Sequence, residues 1–233
     1  VICQAEWRVV GPVLFERLSE FVIPVKLYAP RIPAATEAAQ SLMQEETFMK
    51  NNEIQYARFY KCDLHMHTPF DRSHWLATAP TAGTDIKALQ QYADQYIERC
   101  YEFGLELIGI TDHNFAQAPD KSFLPFLHDA IDRLWQKFSY RIIIFPGFEV
   151  QGPIGKGAHL VCLFEPGAPL SDVDAKLTGL GLPPNRRFGS NGEPLPVPTE
   201  DMTFAKMLGL IQGDKHLRGI FFGAHPNNSG ILD

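Results

Sequence analysis

The chain has 233 residues, a length that suits one or two domains, or a single barrel-like α/β domain. Its make-up, 45% hydrophobic, 12% aromatic and 21% charged, is that of a globular protein and excludes a disordered or collagen-like chain. Lys and Arg number 21 against 27 Asp and Glu, and the net charge of -6 excludes a strongly basic nucleic-acid footprint over the whole chain.

Residues 1–55 read as an extension or connector, separate from a second segment, 56–233, that carries the chemistry. Pro24, Pro30 and Pro33 break the first part, and 35–51 has the Ala, Gln, Glu and Met content of a short helix. Glu6, Trp7, Arg8 and Glu16 interrupt the apolar start, so no signal peptide is expected. No run of about 18 apolar residues predicts a membrane-spanning helix. Cys3, Cys62, Cys100 and Cys162 lie far apart without a C-x-x-C pair, which predicts reduced interior thiols and a cytoplasmic setting.

From residue 58 the pattern becomes regular. A first strand is expected over 58–65. Thr84 or Asp85 can cap a helix with Ile86, Leu89, Ala93, Ile97 and Cys100 on one face, and Gly104 is placed to stop it. The apolar run 105–110 predicts a buried strand. A second helix follows, with Leu124, Leu127, Ile131, Leu134, Trp135 and Phe138 on one side. Further strands are expected over 141–145, 159–164 and 219–223, with a helix over 202–211 before the last. Strands alternating with amphipathic helices predict parallel β/α units. Residues 165–200, with seven prolines and five glycines, read as one long irregular block.

The histidines and carboxylates gather at the strand ends. His65 and His67, two apart on the first strand, share a face. Asp112, His113 and Asn114 follow the second strand, Glu149 the third, and His225 the last. These are rim positions, where β/α barrels keep their chemistry. His159 opens its strand and has to reach such a site from the other direction. Converging imidazoles and carboxylates are ligands for Zn, Mn or Fe, and ions about 4 Å apart can activate water and neutralise a phosphoryl oxygen. His128 and His216 read as structural or surface residues.

The stretches Asp63-Leu64-His65-Met66-His67-Thr68, Gly109-Ile110-Thr111-Asp112-His113-Asn114, Pro146-Gly147-Phe148-Glu149, His159-Leu160 and Ala224-His225-Pro226 resemble, in order, the motifs of the PHP (polymerase and histidinol phosphatase) superfamily. The resemblance spans roughly residues 58–233. It implies an α/β fold of the distorted (β/α)7 barrel type with two or three Mn, Zn or Fe ions at its rim. It implies that His65 and His67 bind one ion, that Glu149 bridges two, and that His113, His159 and His225 complete the set. Asp112 would orient His113 or act from behind it. The family's extra ligand after H-x-H falls to Asp71 or His74, with Asp71 preferred.

The family also closes its site with a D-x-H pair on the last strand. The chain's Asp214-Lys215-His216 comes before His225, in a helix-to-strand connection, so that ligand pair is not seen and the barrel is expected to be incomplete at its C-terminal end. The 159–166 and 180–183 stretches, with Ala224-His225 and 230–232, are similar to PHP domains fused ahead of an SMC-like or AAA-like ATPase, which implies such a partner and a role in anti-phage defence.

The activity implied is metal-dependent phosphoester hydrolysis, with phosphodiesters of nucleic acid or nucleotides as the leading substrates. Arg186 and Arg187, beside Phe188, are candidates to hold a phosphate. A small-molecule phosphomonoesterase of the histidinol-phosphatase type and a non-catalytic metal-stabilised sensor or scaffold are the alternatives. A metal-dependent amidohydrolase usually wants a lysine at a strand end, and none lies there beyond Lys156.

Overall fold

The computed structural model describes residues 59–71, 79–81, 83–115, 122–153 and 157–224. The extension over 1–55, its expected helix, and His74 and His225 lie outside them. Among the described residues, five strands and four α-helices follow in chain order: β1 (Cys62–Met66), α1 (Ile86–Glu102), β2 (Leu107–Ile110), α2 (Leu124–Phe138), β3 (Ile143–Gln151), β4 (His159–Phe164), α3 (Leu170–Gly179), α4 (Phe204–Gln212) and β5 (Gly219–Gly223). The strands lie in sequence order in one curled, half-barrel sheet.

Both long helices form for the reasons their sequences give. The Asp85 carboxylate accepts hydrogen bonds from the Lys87 and Ala88 amides at the start of α1, and Leu89, Ala93, Ile97 and Cys100 are buried at helical spacing. Gly104, at φ 68, turns the chain after it. In α2 the buried stripe is Leu124, Leu127, Ala130 and Ile131, and Ser139 at φ 67 closes the end. These faces join Ile108, Ile144, Phe148, Leu160, Cys162, Phe164, Leu177 and Met207 in one core. Cys100 and Cys162 are interior, as expected, whereas Cys62 is exposed at the start of β1.

The sheet is not built of parallel units throughout. β1 pairs parallel with β2, and β2 with β3, but β3–β4 and β4–β5 are antiparallel. The change occurs within β3. Up to Pro146 it faces β2, with Ile110 opposite Pro146; from Gly147 onward it faces β4, with Gly147 opposite Leu163. Proline has no amide to give a ladder, and glycine has no side chain to keep a neighbour away. A Cβ at Gly147 would sit 2.1 Å from the Cys162 carbonyl oxygen. The expected strand over 141–145 therefore runs on to Gln151, because Pro146-Gly147 exchanges one neighbour for another instead of ending the strand. Gly147→Ala is expected to cost about 3 kcal/mol or more, since only backbone movement can relieve the contact; chemical denaturation measures it.

A second irregularity lies in β1. Asp63 pairs with Ile108 but Met66 with Ile110, so β1 carries one extra residue between them. Gly109 permits this: a Cβ there would lie 2.5 Å from the Leu64 carbonyl oxygen. Such a bulge re-aims the side chains that follow it.

The block 165–200 is more regular than its prolines predict. It contains α3, whose Val173 and Leu177 are buried one turn apart, and a 3-10 turn at Pro184–Arg186. Among the described residues no helix is long and apolar enough to cross a membrane.

Candidate metal centre

The antiparallel turn of the sheet explains how His159 joins the others. Because β4 runs against β3, its first residue, His159, pairs with Gln151 at the far end of β3. The start of one strand and the end of the other share a rim. Glu149 stands inside β3, opposite Val161. His113, after β2, forms a parallel bridge with Glu149.

The buried Glu149 carboxylate is the centre of the arrangement. The Nε2 atoms of His65, His67 and His113 lie 3.5, 3.4 and 3.2 Å from its Oε2. His159 Nδ1 lies 2.5 Å from Oε1. The His67 and His113 rings stack with centroids 5.0 Å apart, and His65 meets His67 edge-on at 4.9 Å.

Each inner imidazole is oriented through its other nitrogen. His67 Nδ1 and His113 Nδ1 both donate to Asp71 Oδ2 at 2.8 Å, and the His113 amide donates to the same oxygen. The Thr111 hydroxyl donates to the Met66 carbonyl, so His65 Nδ1, 2.9 Å away, donates to the hydroxyl oxygen. With Nδ1 protonated, neutral rings direct Nε2 lone pairs toward a carboxylate oxygen. That arrangement calls for a proton or a cation between them.

The spacing suits a cation. Ligands about 2.0–2.1 Å from a tetrahedral ion stand about 3.4 Å apart, which is the separation of the Nε2 atoms from Glu149 Oε2. Three groups have their ligand atoms within 4.8 Å of one another: His65, His67 and Glu149; His67, Asp71 and His113; and His113, Glu149 and His159. They share members, so His/Asp/Glu groups that could hold a metal ion are present, oriented by carboxylate and hydroxyl contacts.

Of the two tasks expected of Asp112, orienting His113 falls to Asp71, while Asp112 acts from behind. Its two oxygens accept from the Thr68 amide and the Thr68 hydroxyl, each at 2.6 Å. It fixes the chain just after H-x-H, and it is Asp71 that orients His113. Thr68, Thr111 and Tyr96, whose hydroxyl donates to the His67 carbonyl at 3.1 Å, also support the site. Thr68 and Thr111 stand within the motifs; only their contacts identify them.

The arginines do not form a pair of phosphate-binding side chains. Arg186 is exposed in the 3-10 turn, while Arg187 is buried, 3% exposed. The Arg187 guanidinium binds Asp174 at 2.6 Å and the Leu182 carbonyl at 3.0 Å. It is spent inside the block. His128 and His216 are both exposed, as expected, with His216 in the turn after α4.

Burial opposes the charge on Glu149, but His159, His113, His65 and His67 hold its carboxyl down at about 2. Burial likewise opposes the His67 cation, yet Asp71, Asp112 and Glu149 raise it overall, and the Glu149 contact raises His159. Asp112 is pushed up to about 6 by burial and by Asp71, against its Thr68 hydrogen bonds.

The signs give a pH profile for the metal-free protein. The Glu149 contribution is present above its usual 4.5 and is lost as pH falls toward 2. The histidine contribution is full below 6.5 and is lost as pH rises through the raised values. Asp112 adds a loss in the same direction at lower pH, as pH rises from 3.8 through about 6. The melting temperature of stripped protein is therefore expected to drop as pH rises above 6.5, and saturating Mn²⁺ to recover much of the drop by replacing the lost protons. A scanning-fluorimetry series with and without the ion checks both.

No family model, no curated protein and no solved structure matches the chain.

Proposed function

We propose that this cluster is a multinuclear divalent metal centre that hydrolyses phosphoesters, with phosphodiesters of nucleic acid or nucleotides as the leading substrates. The observation that carries it is one buried carboxylate meeting four imidazoles through both oxygens, His65, His67 and His113 at Oε2 and His159 at Oε1. A carboxylate used on both sides suits a bridge between two ions. The curled sheet and the ordered motifs support a (β/α)7 barrel of the PHP type as the complete architecture.

His65 and His67 with Glu149 Oε2 would hold one ion, and His113 and His159 with Glu149 a second. Asp71 would fix the tautomers of His67 and His113 from behind; as a ligand in the group the three form it would require those Nδ1 atoms deprotonated, an alternative to this hydrogen-bonded arrangement. Mn, Zn or Fe there would supply Lewis acidity and a water acidic enough to ionise near neutral pH. The His159 side chain is 33% exposed and that of His65 22%, whereas Glu149 and Asp71 are at 1% and 2%. Substrate therefore meets the site from the His65–His159 side, with the carboxylates beneath.

The test is hydrolysis of bis(p-nitrophenyl) phosphate and p-nitrophenyl phosphate by the full chain with added Mn²⁺, beside a His65→Ala/His67→Ala control. The reading expects diester cleavage that the control loses. Cleavage of the monoester alone would move the assignment to a phosphomonoesterase. Bound metal with neither activity would leave a sensor or scaffold.

A further inference from the structure

Asn114 and Phe115 are consecutive residues in left-handed conformation, at φ 51 and 43, and both are buried. Asparagine tolerates that region better than most residues and phenylalanine does not, so the surroundings must hold the pair there. The holding groups are identifiable. The Asn114 amide N–H donates to the Glu149 carbonyl at 2.8 Å, and Phe115 N–H to the Asp112 carbonyl at 3.0 Å. The Asn114 side-chain Nδ2 donates to two further carbonyls, Arg187 at 2.6 Å and Leu195 at 2.9 Å. Carbonyls only accept, so the orientation of the amide is settled.

Arg187 and Leu195 form the root of a small hairpin. Leu195 N–H donates to the Arg187 carbonyl at 2.9 Å, Phe188 bridges Pro194, and Gly189 N–H donates to Glu193 at 2.8 Å. Its tip, 190–193, is exposed. Beyond the root, Val197 N–H donates to the Gln151 carbonyl at 2.9 Å, two residues past Glu149 on β3. The root thus attaches to the ligand-bearing backbone at two places, beside His113 and beyond Glu149.

We propose that Asn114 is a positioning residue of the metal centre: it clamps the root of the 187–195 hairpin onto the backbone that pairs His113 with Glu149, so that hairpin docking and ion affinity are coupled. The Glu149 backbone is held from both sides of His113, since its N–H donates to Asp112 and its carbonyl accepts from Asn114. Releasing the Asn114 side chain leaves two inward-facing carbonyls without that donor and removes the reason for the strained turn. His113 Nε2, 3.2 Å from Glu149 Oε2, then loses its fixed separation. This inference rests on the metal-centre reading.

The test titrates metal-stripped full-length protein with Co²⁺, following the visible absorption of the bound ion, for wild type, Asn114→Gly and Asn114→Asp. Glycine accepts the backbone conformation and lacks the donor; aspartate keeps the shape and sets a carboxylate against two carbonyls. The expected result is cobalt affinity weaker by about tenfold in Asn114→Gly and by more in Asn114→Asp, the size usual for residues that orient ligands. An altered absorption band and faster proteolysis at 190–193 should accompany it. A merely structural Asn114 would lower the melting temperature but leave band and affinity unchanged in the folded variant, and that overturns the proposal. Should Asn114→Gly fail to fold, Asp174→Asn loosens the same root from the other side, and unchanged cobalt affinity there overturns it equally. A wild-type protein that takes up no cobalt contradicts the metal centre itself, whereas wild-type binding with indifferent variants contradicts the coupling alone.

Discussion

Replacing Glu149 with glutamine is expected to weaken binding of Mn²⁺ or Co²⁺ by at least 100-fold, about 3 kcal/mol, and to remove hydrolysis with it. The side chain keeps its size, so the loss reports charge and ligand number. A neutral amide offers one weak oxygen where the carboxylate offers two, and its NH2 group brings hydrogens toward the imidazole nitrogens. Four imidazoles converge on that position, so no neighbour substitutes for it. The fold should survive, because Glu149 is held in β3 by its ladder to Val161 as well as by its side chain. Equilibrium titration of stripped protein gives the affinity, and circular dichroism confirms the fold.

Asp174→Ala carries the largest expected effect on stability, about 3–5 kcal/mol. The substitution strands the Arg187 guanidinium, which lies in the interior and holds Asp174 at 2.6 Å. The reverse change, Arg187→Met, should cost less, because Asp174 is 17% exposed and can be rehydrated. The inequality separates desolvation from simple loss of a contact, and urea denaturation of both variants measures it. Equal effects would mean that the pair contributes only packing.

Much of the fold is legible in the residues because its signals are local. The apolar faces of α1 and α2, the Asp85 cap and Gly104 are read from spacing alone. The runs 159–164 and 219–223 coincide with β4 and β5. Pro146-Gly147 misleads, since a pair that ordinarily ends a strand here lets β3 change neighbours. The antiparallel half follows from that change and is a long-range fact no local pattern holds. α3 is hidden among prolines and glycines, with only Val173 and Leu177 to mark a face.

The candidate site was legible in kind and less so in role. Histidine and carboxylate at successive strand junctions announce His65, His67, His113, Glu149 and His159, and the structure brings those five together with Asp71. The division of labour between Asp71 and Asp112 depends on which carboxylate reaches which nitrogen. Asp71 is remote in sequence from His113, and only the fold brings its oxygen to both rings. Arg187 illustrates the converse: an arginine in a loop next to an aromatic suggests phosphate, but burial beside Asp174 commits it to the interior.

The most direct measurement of the central claim is the metal content of the full chain after equilibrium dialysis against Mn²⁺, set against that of Glu149→Gln. The account predicts more than one ion per wild-type chain, and retention in the variant reduced to less than one. Wild-type protein that retains no ion, or a variant that retains as many as wild type, would contradict it.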